Sequence, residues 1–103
     1  MCGIVGVYSE SIDFSKKTLL DCIRHRGPDD SGYFEDGKLF LGHTRLAILD
    51  TSLSGHQPMM SANRKVVLVF NGEIYNYREL RSNLINEGFT FQGQSDTEVL
   101  LNL

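Results

Sequence analysis

The chain has 103 residues, 41% of them hydrophobic and 22% charged, which suits one folded domain with a single apolar core. A net charge of -3 argues against binding a phosphate backbone as the main task, because nucleic-acid binders carry a basic face. No apolar run is long enough to span a bilayer, and MCGIVGVY lacks the basic stretch of a secretory signal, so no membrane role and a cytoplasmic setting are expected.

Residues 3–8 (GIVGVY) read as a buried strand starting almost at the terminus. Leu19, Leu20 and Ile23 then recur at helical spacing within 15–25, with Asp13 or Ser15 as the cap and Cys22 packed among the leucines. In a reducing compartment no Cys2–Cys22 disulfide is expected. Gly27, Pro28 and Gly32 mark a loop, and 33–35 with 38–49 suggest a hairpin turning at Asp36-Gly37. Residues 50–64 read as a further loop. Val66 to Phe70 is a continuous apolar run, the pattern of a strand covered on both faces.

Asn76 and Glu79 form a capping pair for a helix over 77–87, with Tyr77, Leu80, Leu84 and Ile85 as its apolar stripe and Gly88 as its stop. Phe89 to Phe91 reads as a short strand. Ser95 and Glu98 repeat the capping spacing and open a last helix carrying Val99, Leu100, Leu101 and Leu103. Two turns are marginal without packing, so the chain is expected to be a fragment or to complete its core with a partner.

Cys2 is the first candidate for chemistry. Loss of Met1, favoured by a small second residue, leaves a thiol and a free amine on one residue. The amine, with an ordinary pKa of about 7.7–8.0, can take the thiol proton. The neighbouring Gly3 lets the backbone approach a substrate. The plain alternative is a small hydrophobe at a frayed end. Asn71-Gly72 supplies a side-chain amide and an unobstructed N–H, suitable donors for an oxyanion; it is equally an Asn-Gly hairpin turn. Arg45 suits bidentate grip of a carboxylate, or it is a strand-edge arginine reaching for water. Asp96 suits an α-ammonium group, or it belongs to a helix start. His25, His43 and His56 with the two cysteines show no zinc-ligand spacing, and His43 reads as a hydrogen-bonded structural histidine. The glycines fit no phosphate-loop pattern, so no metal and no nucleotide site is expected in this chain.

Taken in order, MCGIVGVY, RHRGPDDSG (24–32), GHTRLAILD (42–50), GHQPM (55–59), VFNGEIYNYRELR (69–81) and SDTEVLL (95–101) resemble the N-terminal glutaminase domain of glutamine-hydrolysing asparagine synthetases, a branch of the class II amidotransferases. The likeness covers essentially all of 1–103. It implies an α+β N-terminal-nucleophile hydrolase fold, an αββα sandwich of two antiparallel sheets between helices, incomplete at the C-terminus. It also implies glutamine as substrate, with Cys2 attacking the carboxamide, and Asn71 and Gly72 forming the oxyanion hole. Arg45 then holds the substrate carboxylate, Leu46 and Ile48 offer backbone contacts, and Glu73 and Asp96 hold the ammonium group. The ammonia passes to a synthetase domain or partner subunit, which binds ATP and magnesium and amidates aspartate; that domain is absent here. Three alternatives stay open: a non-catalytic remnant, an amino-acid-binding module, or the glutaminase of a related amidotransferase with another acceptor.

Overall fold

In the computed structural model of the chain, residues 1–11, 13–48 and 51–103 are described. They form an α+β arrangement with two small antiparallel sheets. Strands β1 (Gly3–Tyr8), β2 (Asp30–Asp36) and β3 (Leu39–Arg45) build the larger sheet in the order β1-β3-β2. Strands β4 (Met59–Met60) and β5 (Val67–Leu68) pair into a two-stranded ribbon. The helices are α1 (Lys16–Ile23), α2 (Tyr77–Asn86) and α3 (Asp96–Asn102).

The β2–β3 hairpin forms as expected but turns one residue later, through Gly37-Lys38, with Asp36 paired to Leu39. Gly37 takes φ 55° at the first central position, the place for glycine in a two-residue turn that follows the sheet's twist. Gly32, read as loop, lies inside β2. The expected second strand ends at Arg45 rather than continuing to 49, and residues 49 and 50 lie outside the described residues.

β3 is the central strand, so its even and odd residues meet different layers. On one face Thr44 Oγ1 donates to Ile23 O at 2.8 Å, and α1 packs against β3 and β1. On the other, His43 and Arg45 meet the loops described below. β1 is an edge strand and is not buried throughout: Ile4 and Tyr8 are exposed, while Val5 and Val7 are half-buried. Helix α1 covers one face of it only.

The apolar run at Val66 to Phe70 shrinks to the two-residue β5. Val66 is exposed and Val67 to Phe70 are half-buried, so the strand is not covered on both faces. Phe89 to Phe91 is not a strand. Gly88 ends α2 at φ 99°, with Gly88 N–H donating to Ile85 O and Phe89 N–H to Leu84 O, both at 3.0 Å. Farther on, Gln92 and Gly93 N–H both donate to the Glu98 carboxylate at 2.8 Å. With these N–H groups already met, little remains to pair as a strand. Ser95 caps α3 as expected, its Oγ accepting from Glu98 N–H at 3.2 Å. Asn76 occupies the cap position of α2, but its side chain makes no capping bond. Cys22, expected in packing, is exposed, and both cysteines are free thiols.

Among the described residues the buried apolar side chains are Phe40, Leu84 and Val99, against eight buried polar or charged ones. The interior is therefore organised by hydrogen bonds as much as by apolar contact, since each buried polar group needs a partner. Gly3 shows how closely the first strand is seated. A Cβ there would lie 2.7 Å from Thr44 Oγ1 and 2.9 Å from Ile23 Cβ. Glycine is required at this position for the close approach of β1 to β3 and α1. Gly3→Ala is accordingly expected to destabilise the chain by about 1–3 kcal/mol through overpacking, read as a lower midpoint in urea. An unchanged midpoint would refute this account of the residue.

Candidate active site

A cavity of about 410 Å3 opens where the start of β1, the end of β3, the Phe70–Glu73 segment and the first turn of α3 converge. All eight residues singled out in the sequence line it: Cys2, Arg45, Leu46 and Ile48 from one side, and Asn71, Gly72, Glu73 and Asp96 from the other. They are spread over 95 positions of chain, and the fold brings them to one hollow.

Cys2 is not at a frayed end. Its carbonyl accepts from Arg26 Nε at 3.0 Å, and the next residue begins β1. Its sulfur accepts from Leu46 N–H at 3.3 Å, while the thiol points to Leu46 O at 3.7 Å. The backbone of Leu46 thus faces the sulfur. Ile48, 64% exposed, stands at the cavity's rim. Met1 borders the same cavity.

Arg45 lies on the central strand and is only 7% exposed, so it does not snorkel to water. Its Nη1 donates to Ser52 O at 2.7 Å, and no ion pair joins it to a carboxylate among the described residues. Gly55 makes room for it: a Cβ there would overlap the guanidinium at Nη2. A buried cation with spare donors, bordering a cavity, is suited to an anionic ligand group.

Asn71-Gly72 is not a hairpin turn. β5 precedes it, but the chain runs on into α2 rather than back along a second strand. Asp96 does not cap α3, because Ser95 does. Its Oδ2 accepts from Ile74 N–H at 3.0 Å, just beyond the Asn71–Glu73 segment. The exposed Glu73 borders the cavity beside it.

Two further polar residues at this site escape reading from the sequence. Gln57, 5% exposed, accepts from Phe70 N–H at 2.7 Å through Oε1 and donates to Thr97 Oγ1 at 3.3 Å through Nε2. Both Gln57 and Thr97 line the cavity. A glutamine before a proline in a serine-rich loop carries no periodic signal. His43 is fully buried, and its Nε2–H donates to Phe70 O at 3.3 Å. Its Nδ1 has no partner among the described residues. Burial holds its pKa below the ordinary 6.5, with the Arg45 charge pushing the same way and the Phe70 carbonyl opposing. A neutral imidazole held on a carbonyl is a structural group, as its sequence context suggests.

Comparison with known proteins places this geometry in context. Over residues 1–103 the chain matches the family model described as "Glutamine amidotransferase domain". It is 44% identical over 108 residues to asparagine synthetase [glutamine-hydrolyzing] 1 of Bacillus subtilis (strain 168), covering 98% of this chain and 17% of that protein. It is 43% identical over 108 residues to asparagine synthetase [glutamine-hydrolyzing] 1 of Arabidopsis thaliana, covering 100% of this chain and 18% of the relative. The chain therefore spans less than a fifth of the length of these relatives.

Burial of His43 has a consequence for pH. With a folded pKa below 6.5, the unfolded chain takes up the proton first as pH falls. The contribution of His43 is fully present above about 6.5 and is lost on acidification below that value. The wild-type thermal midpoint is expected to fall between pH 7 and pH 5 more steeply than that of His43→Gln. Equal slopes in the two proteins would show that His43 titrates alike in both states.

Proposed function

Because the chain belongs to the family of glutamine amidotransferase domains, we propose that its cavity hydrolyses glutamine to glutamate and ammonia with Cys2 as the nucleophile. One observation carries the reading. A single hollow is bordered at once by a second-residue thiol, an Asn-Gly segment, a buried guanidinium and a helix-borne carboxylate. Those are the groups needed to attack an amide, stabilise its oxyanion and hold the two charged ends of a free amino acid.

In the proposed reaction Met1 is first removed, freeing the Cys2 amine. Glutamine enters with its α-carboxylate on Arg45 and its α-ammonium on Glu73 and Asp96. The amine takes the thiol proton and the sulfur attacks the carboxamide carbon. Leu46 N–H keeps the sulfur aimed, and Ile48 walls the entrance. The Asn71 side-chain amide and Gly72 N–H receive the oxyanion. Collapse breaks the C–N bond, and the ammonium returns the proton to give ammonia and a thioester. Water, giving a proton to the same amine, then attacks the thioester; the C–S bond breaks and glutamate leaves.

The relatives' names and their much greater length support a second half of the reaction in another part of a longer protein. There, in this proposal, ATP and magnesium serve the amidation of aspartate by the ammonia. The two antiparallel sheets and their helices are compatible with the front of an N-terminal-nucleophile hydrolase sandwich.

A competing reading is an amino-acid-binding module, in which the same cavity, bordered by Arg45, Glu73 and Asp96, holds a free amino acid without turnover. The mass of the purified chain separates the two. Loss of Met1 with covalent labelling of Cys2 by a glutamine-shaped diazo ketone supports the enzyme, and retained Met1 with bound but unhydrolysed glutamine supports the module. Cys2→Ala is expected to bind glutamine calorimetrically while ammonia release drops to background. Release at the parental rate would exclude Cys2 as nucleophile. Arg45→Ala is expected to weaken glutamine binding by about 2–5 kcal/mol, the cost of leaving a carboxylate without its buried partner. A dissociation constant within a factor of about three of the parent's would remove Arg45 from the site.

A further inference from the structure

The reaction above leaves Gln57, buried beside the cavity, without a part. Its carboxamide is engaged at both ends, accepting from Phe70 N–H at 2.7 Å and donating to Thr97 Oγ1 at 3.3 Å. His43 Nε2 takes the carbonyl of the same Phe70. Four residues later, Ile74 N–H donates to Asp96 Oδ2, on the residue next to Thr97. These contacts close a ring that runs from Gln57 to Phe70, along the chain to Ile74, across to Asp96, on to Thr97, and back to Gln57. Inside the ring lie Asn71, Gly72 and Glu73.

We propose that Gln57 is a positioning residue, fixing the Asn71-Gly72 donors relative to the α3 turn that carries Asp96. The proposal deepens the glutaminase reading and rests on it for its kinetic consequence. Gln57 acts through the Phe70 backbone and contacts no reacting atom. The segment it holds has no helix or strand bonds of its own, so its path is set by what grips its two ends. Only a side chain with an acceptor and a donor on one planar group can serve Phe70 N–H and Thr97 together. A glutamate there would bury a carboxylate and lose the donor to Thr97, and a methionine would offer neither function. Misplaced oxyanion donors cost rate in the transition state, while the grip on the two charged ends of the substrate persists.

The test compares the wild-type chain with Gln57→Met, Thr97→Val and Thr97→Ser by glutamine hydrolysis and by amide hydrogen exchange. In Gln57→Met, kcat is expected to fall about tenfold to hundredfold with KM changed less than about threefold. Exchange at the Phe70 and Ile74 amides is expected to rise about tenfold or more while β1 and β3 keep their protection. Thr97→Val, which removes only the tether of the carboxamide and preserves side-chain shape, is expected to show the same pattern more weakly. Thr97→Ser is expected to recover most of that loss. Unchanged exchange at Phe70 and Ile74 in Gln57→Met would overturn the proposal. Protection lost throughout the chain, with kcat and KM moving together, would overturn it too, by revealing a merely structural residue. A wild-type chain that releases no ammonia would sink the glutaminase reading alone, and the exchange measurements would still decide the role of Gln57.

Discussion

The segment from Phe70 to Ile74 has to cross one side of the cavity with no helix or sheet to satisfy its backbone. Phe70 N–H is met by Gln57, Phe70 C=O by His43 and Ile74 N–H by Asp96. Each of those side chains is buried, and each comes from a different stretch of sequence. A polar side chain enters the interior only where it replaces the hydrogen bonds that water would have made. The burial of these three groups and the path of the loop are therefore one arrangement, and neither is stable without the other.

The same reasoning explains why so polar an interior can hold together. Glu98 is buried without a cation beside it among the described residues, yet its two oxygens take the Gln92 and Gly93 N–H groups. It also sits in the first turn of α3, where the helix dipole favours a negative charge. Thr44 donates to the carbonyl at the end of α1. Apolar contact is limited to patches such as Phe40 stacked on Tyr33, with ring centroids 5.8 Å apart. Exposed ion pairs such as Lys17–Asp21 add little, since solvent screens them.

What could be read from the sequence follows from how local each signal is. The Ser95 cap, the Gly88 stop and the β2–β3 hairpin all depend on residues within a few positions of one another, and all three appear. Phe89 to Phe91 has strand composition but is preceded by a helix end that claims Phe89 N–H, a competition that composition does not register. Val66 to Phe70 has the apolar run of a fully covered strand, but coverage is a property of neighbouring elements rather than of the run. The packing role of Gly3 is not legible locally, because its neighbours Ile23 and Thr44 are brought to it only by the folded sheet. The eight candidate site residues stand in motifs of the sequence, and the fold gathers all of them around one cavity. Gln57 and Thr97 were not legible as a pair, since nothing local shows that a carboxamide in one loop meets a hydroxyl 40 residues later.

Four consecutive residues, the last three of β3 and Leu46 just beyond it, tie the cavity's parts together. His43 reaches Phe70, and Thr44 pairs with Gly3 and so seats the strand that starts beside Cys2. Arg45 projects its guanidinium toward the cavity, and Leu46 turns its backbone to the Cys2 sulfur. Alternation along a central strand sends the side chains at 43 and 45 to one face and that at 44 to the other. A slip of one position would exchange the two faces, placing an arginine against α1 and a threonine at the cavity. Register in this sheet is thus not only a matter of core packing. The pairing of β1 with β3 sets where the thiol lies relative to Arg45 and Leu46, while the loop it faces is held in place by Gln57, His43 and Asp96.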